Sequence, residues 1–183
     1  MNEAASLNGE FVTNITSTQD RNILITGCSS GIGKCVAQGL HQRGYRVFAS
    51  VRDPGDCAPF HAAGMECLVL DYCDSSSIQS AVEEVLDKTD GKLYALFNNG
   101  AYGQPGACED LSRAAIRQQF ETNVFGWMEL TNLIIPVMRA QGYGRIIQNS
   151  SILVLVASMI FALMIGGFDW VFKTTMQWFY QSF

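Results

Sequence analysis

The chain carries the sequence Thr26-Gly27-Cys28-Ser29-Ser30-Gly31-Ile32-Gly33 directly after a short apolar run, Ile23 to Ile25. Glycines at this spacing let the backbone turn tightly and approach a pyrophosphate closely. A helix that starts at the end of such a loop turns its unpaired N–H groups towards the anion. A glycine triplet alone is also typical of a flexible turn, so the interpretation depends on what flanks it.

The flanking residues supply the context that a dinucleotide-phosphate loop requires. Ile32, Val36 and Leu40 recur at helical spacing, and Gly44 follows as a helix stop. The next segment, 45–51, is typical of a strand. The order strand, loop, helix, strand therefore favours a dinucleotide-binding unit over a plain turn.

Strand and helix patterns alternate along the rest of the chain. Short apolar runs predict three further strands, at 67–70, 93–97 and 145–149. Helical periodicity predicts two further helices, one from Asp74 or Ser75 and one from Ser112 towards Met138 with a kink at Pro136. This alternation predicts an α/β fold with a doubly wound, Rossmann-like parallel sheet in three layers, whose ligand lies outside the carboxyl ends of the strands.

Composition argues against several classes of function. The 183-residue chain has a net charge of -5 and no Lys/Arg cluster, so we expect no nucleic-acid surface. Its six cysteines include no Cys-x-x-Cys pair and its two histidines are isolated, so we expect no metal site. For a chain this large and apolar we expect reduced, mostly buried thiols and a cytoplasmic location.

The polar residues at three strand ends carry a family resemblance. With the glycine loop, the pair Asn98-Asn99 and the pair Ser150-Ser151, the chain resembles the short-chain dehydrogenase/reductase family over residues 20–157. Within that family it is most similar to the classical type, in the bacterial retinol- and hydroxysteroid-dehydrogenase-like branch. The resemblance implies interconversion of a hydroxyl and a carbonyl on a small molecule, by hydride transfer with a nicotinamide cofactor.

The resemblance also implies which residues bind the cofactor. The glycine-loop positions that match are Gly27, Ser29, Gly31, Ile32 and Gly33. Asp71 matches the acidic residue that takes the adenine amino group, although a residue of this type also ends strands in turns. Asn98 matches the asparagine that lines the nicotinamide side. The family pattern Asn-Asn-Ala-Gly becomes Asn98-Asn99-Gly100-Ala101 here, which keeps both residues small enough for close approach.

Cofactor choice depends on the end of the second strand. Family members that prefer NAD carry an acidic residue there, which bonds the ribose 2′-hydroxyl and repels a 2′-phosphate. This chain has Val51 followed by Arg52. Since a guanidinium can hold a 2′-phosphate in a bidentate manner, we expect NADP rather than NAD. The alternative is that Arg52 is a solvated turn residue beside Asp53.

Only half of the family's catalytic set is present. Asn123 matches the asparagine that orders a water in the proton relay, and Ser151 matches the serine that holds the substrate oxygen. Either side chain could instead bond backbone locally. Family spacing puts the tyrosine and lysine at positions occupied by Met164 and Phe168. Because that tyrosine is the general acid/base, we expect this chain to turn over poorly or not at all.

The chain divides into three segments by composition. Residues 1–20 contain no Lys or Arg and no long apolar core, so we expect a loose polar lead-in and not a signal or transit peptide. Residues 21–157 form the expected NAD(P)-binding domain. In the apolar tail, 158–183, the only charged residues are Asp169 and Lys173, and the family similarity has ended.

Three interpretations of the tail remain open. A frameshift or truncation would leave a half-domain with an exposed apolar edge at 145–149. Alternatively, the uncharged run 146–168 is long enough to span a membrane. The third interpretation is a non-catalytic NADP-binding or interaction module. In either the enzyme or the module, the helix from Ser112 matches the surface through which family members dimerise.

Overall fold

The structure is a computed structural model that describes residues 21–107 and 109–149, together with 164, 166–168, 172, 173 and 175. The strands are β1 (Asn22–Ile25), β2 (Arg46–Val51), β3 (Glu66–Val69), β4 (Ala95–Asn98) and β5 (Arg145–Gln148). The α-helices are α1 (Gly31–Gln42), α2 (Ala58–Ala62), α3 (Ser75–Lys88), α4 (Arg113–Phe120) and α5 (Gly126–Gln141). A 3₁₀ helix covers Pro54–Cys57, and a π-helical segment covers Glu121–Phe125.

All strand pairs of the described sheet are parallel, in the order β3-β2-β1-β4-β5. The chain therefore starts in the centre of the sheet, builds outward through β2 and β3, and then crosses back to add β4 and β5. The predicted doubly wound, Rossmann-like sheet is confirmed. The direction of winding reverses between β1 and β4, which is where open sheets of this kind bind ligands.

Alternating side chains of the central strands supply two hydrophobic layers. Leu24 and Phe48 face one side, where they cluster with residues of α3 and α5. Ile23, Ile25 and Val47 face the other side, where they cluster with residues of α1 and α2. Because parallel strands covered on both faces need apolar residues at every position, the short continuous apolar runs were sufficient to predict them.

The long helix predicted from Ser112 is confirmed in position but differs in detail. It consists of α4 and α5 joined by the π-helical segment at 121–125. Pro136, where a kink is expected, lies inside α5, which continues to Gln141. A π-helical segment adds a residue to one turn and has no fixed sequence signature, so hydrophobic periodicity did not predict it.

Among the described cysteines, the expectation of reduced, mostly buried thiols holds only for Cys28 and is wrong for the other four. Cys57 and Cys67 form a disulfide, with their Cα atoms 5.5 Å apart. Cys35 and Cys73 are exposed free thiols, and Cys28 is a buried one. The pairing arises because the 3₁₀ helix folds back beside β3, a contact that a separation of 10 residues does not reveal in the sequence.

Two expectations about the carboxyl-terminal part concern described residues. The segment 145–148 is the outer strand of the described sheet, and all four of its residues are exposed. Residues 146–148 form this strand instead of the start of a membrane helix. Among the residues the structure describes, no helix combines the length and the apolar character needed to cross a membrane.

From Asn149 onward the chain forms a second compact unit. Its described residues in helical conformation are Met164, Gly166, Gly167, Phe168, Phe172, Lys173 and Thr175. The predicted lead-in 1–20, Cys108 and the pair Ser150-Ser151 lie outside the described residues.

Candidate cofactor-binding site

The glycine loop between β1 and α1 has the backbone conformation that glycines permit. Gly27 and Gly31 have φ values of 65° and 58°, in the left-handed region that L side chains rarely adopt. A Cβ on Gly27 would lie 2.5 Å from the Cα of Gly100, and a Cβ on Gly33 would lie 2.3 Å from the carbonyl oxygen of Gly27. The loop is therefore closed tightly against both α1 and the segment that follows β4.

The amino-terminal end of α1 is open to an anion. Ser30 occupies the N-cap position without a side-chain cap hydrogen bond, and the first turn contains no acidic residue. Ser29 and Ser30 are exposed, and the Ile32 side chain is 58% exposed. Free N–H groups and the positive end of the helix dipole favour a phosphate at such a position.

Ile32 is not part of the core-facing stripe to which its spacing assigned it. The stripe is continued by Val36 and Leu40, which are partly buried against the α1–α2 layer. Ile32 belongs to the first turn of α1, beyond the end of β1, so the sheet does not cover it. Its exposed position is compatible with a residue that contacts a ligand.

Thr26 joins the glycine loop to the segment after β4. Its side chain is fully buried, and its Oγ1 donates to the carbonyl oxygen of Phe97 at 3.2 Å. The same oxygen lies 2.9 Å from the backbone nitrogen of Asn99 and 3.0 Å from that of Gly100. Since both backbone N–H groups point at one hydroxyl, Thr26 sets the distance between the two loops.

The two adjacent asparagines have different surroundings. Asn98 is fully buried, where its Nδ2 donates to Thr131 Oγ1 at 3.0 Å and its Oδ1 accepts from the Tyr72 hydroxyl at 3.3 Å. Asn99 reaches the glycine loop directly, since its Nδ2 donates to the carbonyl oxygens of Thr26 at 3.1 Å and Gly27 at 3.3 Å. The asparagine that holds the glycine loop is Asn99, and Asn98 lies beneath it.

Asp71 lies at the end of β3, on the same edge of the sheet. Its Oδ1 accepts from the backbone nitrogen of Cys73 at 2.9 Å, and its own N–H donates to Ser77 Oγ at 3.0 Å. The carboxylate therefore closes a local turn, which is the second interpretation given above for an acidic residue at a strand end. It is also partly exposed at the edge where β1 and β2 end.

Arg52 follows the buried Val51 at the end of β2 and is exposed. The neighbouring carboxylate is engaged elsewhere, because Asp53 Oδ1 accepts from the backbone nitrogen of Gly55 at 2.8 Å. Within the described residues Arg52 forms no ion pair. Its guanidinium is a free cation at the edge of the sheet that carries the glycine loop.

Asn123 lies in the π-helical segment and holds the loop that follows β4. Its Oδ1 accepts from the backbone nitrogen of Tyr102 at 2.8 Å, and its Nδ2 donates to the carbonyl oxygen of Tyr102 at 2.6 Å. Its amide is thus paired with backbone. Ser151, the other predicted catalytic residue, lies outside the described residues, so its distance from Asn123 is not defined. Met164 and Phe168 are exposed helical residues.

Four residues at this site were not assigned a role from the sequence: Thr26, Tyr72, Asn99 and Trp127. Tyr72 is 7% exposed and donates to Thr26 Oγ1 at 2.7 Å, while Trp127 Nε1 donates to the carbonyl oxygen of Gly100 at 2.5 Å. Burial raises the pKa of the Tyr72 hydroxyl well above its ordinary 10. The available signal was that three of the four, Thr26, Tyr72 and Asn99, directly precede or follow a predicted site residue.

Burial also controls the thiol inside the glycine loop. Cys28 is fully buried, and its backbone nitrogen donates to the carbonyl oxygen of Ser50 at 2.8 Å. Loss of hydration raises the pKa of its thiol from 9.0 to about 12, against the smaller opposing effect of a backbone hydrogen bond. Cys28 is therefore a neutral packing residue that ties the loop to β2.

The parallel sheet and the glycine loop define a Rossmann-like α/β fold. The family model for short chain dehydrogenase matches residues 21–163. The uncharacterized oxidoreductase YbbO of Escherichia coli is 38% identical over 138 residues, covering 75% of this chain and 51% of that protein. Human retinol dehydrogenase 8 is 36% identical, with 73% and 45% covered. The chain belongs to the short-chain dehydrogenase family.

A solved structure of the same family gives the same result for the fold. A short-chain dehydrogenase from Streptomyces avermitilis superposes with a TM-score of 0.68 and 32% identity, over 72% of this chain and 49% of that one. The chain spans about half the length of the relatives that it matches.

Proposed function

We propose that the chain binds NADP in preference to NAD, in an oxidoreductase that interconverts a hydroxyl and a carbonyl of a small molecule. The observation that carries the proposal is the pairing of an open, uncapped start of α1 with the unpaired Arg52 at the same edge of the sheet. The N–H groups beside Gly31, Ile32 and Gly33 would take the pyrophosphate, and Ser29 would line the loop. The Arg52 guanidinium would take the 2′-phosphate.

The remaining residues have supporting roles in this proposal. Gly27 allows the close approach of the two loops. The partly exposed carboxylate of Asp71 would accept a hydrogen bond from the adenine amino group. Asn98 would support the nicotinamide side of the site from beneath. When bound, the cofactor supplies the hydride donor or acceptor. Asn123 would order the loop around Tyr102, and Ser151 would hold the substrate oxygen.

We propose weak or absent turnover for this chain. The family's general acid/base would stand at Met164 and its lysine at Phe168, and neither side chain can exchange a proton. Loss of a positioned acid/base removes roughly 10²–10⁴ in rate. A chain that binds the cofactor without turnover would be the non-catalytic module. A cytoplasmic location remains part of the proposal, as an expectation from the sequence.

The proposal includes a homodimer through α4 and α5. Large apolar side chains along this surface are exposed, among them Ile116, Phe120, Phe125 and Met128. Burial of such side chains against a second copy would remove them from water. Sedimentation at rising protein concentration tests the association, and a monomer at all concentrations would exclude it.

Cofactor preference is tested by titrating the protein with NADPH and with NADH and following nicotinamide fluorescence. The variant Arg52→Ala removes the proposed 2′-phosphate contact. Arg43→Ala is the matched control, because Arg43 is also an exposed arginine and follows the far end of α1 from the glycine loop. We expect Arg52→Ala to weaken NADPH binding by about tenfold and to leave NADH unchanged, since a charge-assisted contact is lost.

Two results would contradict the proposal. Equal affinity of the unmodified chain for the two cofactors would remove the NADP preference, as would an Arg52→Ala variant that loses both equally. Reduction of any member of a panel of aldehydes and ketones by NADPH would overturn the proposed lack of turnover. Binding without turnover would support the module.

A further inference from the structure

Tyr72 lies directly behind the candidate site and contacts both of its loops. It follows Asp71 at the end of β3 and is almost completely buried. Its hydroxyl donates to Thr26 Oγ1 at 2.7 Å, and Thr26 Oγ1 in turn lies within hydrogen-bond distance of the N–H groups of Asn99 and Gly100. One phenol is thus connected through one hydroxyl to the glycine loop and to the segment after β4.

Two glycines from different elements lie against Tyr72, Gly100 against its ring and Gly126 against its Cβ and backbone. A Cβ on Gly100 would lie 2.8 Å from Tyr72 Cε2, and a Cβ on Gly126 would lie 2.5 Å from Tyr72 Cβ. The ring also packs against Trp127, with ring centroids 6.3 Å apart. Because it is enclosed on these sides, the ring cannot move aside for an added methyl group.

Backbone conformation does not explain the glycine at position 100. Gly100 is absent from the glycines with positive φ, so alanine could adopt its conformation. The family pattern has Asn-Asn-Ala-Gly where this chain has Asn98-Asn99-Gly100-Ala101. A methyl group at position 100 would meet the Tyr72 ring most closely, at 2.8 Å, and the Gly27 backbone nitrogen less closely, at 3.3 Å.

We propose that Tyr72 is a positioning residue for the two cofactor-binding loops, and that the departure at Gly100 is coupled to it. The phenol orders Thr26, and Thr26 orders the N–H groups that keep the loops at the right separation. The glycine is needed because the ring fills the space of an alanine methyl. The first part rests on the proposed cofactor binding, and the coupling between positions 72 and 100 does not.

The coupling is tested by thermal unfolding of a double-mutant cycle. We expect Gly100→Ala to lower Tm by several degrees in the unmodified chain, and to cost much less in a Tyr72→Val background, where the ring is gone. Gly103→Ala is the control, since a Cβ at Gly103, in the same loop, would meet nothing within 4 Å. If Gly100→Ala is insoluble, recovery of folded protein in the double variant supports the coupling. An equal loss in both backgrounds, or failure of both to fold, overturns it.

The positioning role is tested with Tyr72→Phe, which keeps the ring and removes only the hydroxyl. At a temperature where both proteins are fully folded, we expect the variant to bind NADPH about three- to tenfold more weakly, because Thr26 loses a buried partner. A purely structural role would lower Tm and leave the affinity of the folded protein unchanged, and that result overturns the positioning role. Absence of NADPH binding by the unmodified chain overturns the proposed function together with this role, while the thermal cycle still decides the coupling.

Discussion

At Gly33, a single methyl group would meet the carbonyl oxygen of Gly27 at 2.3 Å and the Nδ2 atom of Asn99 at 2.6 Å. Neither atom can retreat, because one belongs to the backbone of the loop and the other bridges the loop. The same helix offers a contrasting position at Gly39, where an added Cβ would meet nothing within 4 Å. The two residues are identical in type and lie in the same helix, but only Gly33 has no room for a side chain.

We therefore expect opposite effects from two alanine substitutions in α1. Gly33→Ala should destabilise the protein by about 1–3 kcal/mol through overpacking and should abolish NADPH binding. Gly39→Ala should stabilise it by about 0.5–1 kcal/mol, because alanine has the higher helix propensity. Urea unfolding and a cofactor titration measure both effects. A Gly33→Ala variant as stable as Gly39→Ala would contradict this account of the loop.

Two buried acids beside the loop predict the response of stability to alkaline pH. The folded chain keeps the protons of Cys28, with a pKa near 12, and of Tyr72, with a pKa above 10, after the unfolded chain has lost them. Between pH 9 and 12 the unfolded state therefore binds fewer protons, so the free energy of unfolding falls as pH rises. The stabilisation from the neutral forms is complete below about pH 9.

This fall should be shallower in Cys28→Ala and in Tyr72→Phe than in the unmodified chain. Cys35→Ala, which removes an exposed thiol from α1, is the control and should keep the original slope. Urea titrations at several values from pH 7 to 11 give the comparison. Identical slopes in all four proteins would mean that neither buried group is responsible.

Adjacent residues also show where prediction from sequence stopped. The apolar run before Asn98 predicted a strand, but a strand buried on both faces has no alternation from which to assign sides. The family resemblance assigned a role to Asn98 alone, although Asn98 is buried beneath the site and Asn99 bridges to Gly27. The role of Tyr72 could not be predicted either, because its partners Thr26 and Asn98 are distant from it in the sequence.

At the scale of elements, the disulfide between Cys57 and Cys67 joins the 3₁₀ helix after Arg52 to β3. Both residues, together with His61, border a cavity of about 450 Å³ through which a small thiol could reach the bond. The bond closes a short loop and so restricts the unfolded chain.

Reduction of this bond should lower the free energy of unfolding by about 2–3 kcal/mol, following the loop-closure estimate. Urea unfolding with and without dithiothreitol measures the difference. The double variant Cys57→Ser, Cys67→Ser should match the reduced protein and should not respond to the reductant. If the double variant still loses stability in dithiothreitol, the effect arises from other cysteines.

The π-helical segment shows how an element can be predicted while its detail is not. Apolar periodicity placed one helix from Ser112 towards Met138, and the structure has helix throughout that range. The extra residue in the turn at 121–125 changes which side chains face the loop, and there Asn123 pairs with both backbone groups of Tyr102. That pairing depends on a tertiary contact that periodicity cannot report.

At the scale of the whole molecule, the alternation of strands and helices was enough to predict the parallel sheet and the edge at which its ligand lies. The relative position of Asn123 and Ser151 did not follow. Each was identified by matching a family pattern, and such a match does not give the distance between the two side chains.

The separation of the core into two layers has a consequence for synthesis on the ribosome. Every fully buried member of the layer on the α1–α2 face except Ala95 comes from residues 23–65. On the opposite face, the cluster around Leu24 and Phe48 begins with residues of α3 but is complete only when Trp127, Leu130 and Ile134 of α5 have been added. At elongation rates of about 5–20 residues per second, this delay lasts several seconds. A chaperone that binds the nascent chain would therefore meet the Leu24 and Phe48 side of the growing sheet, while the other side is already covered.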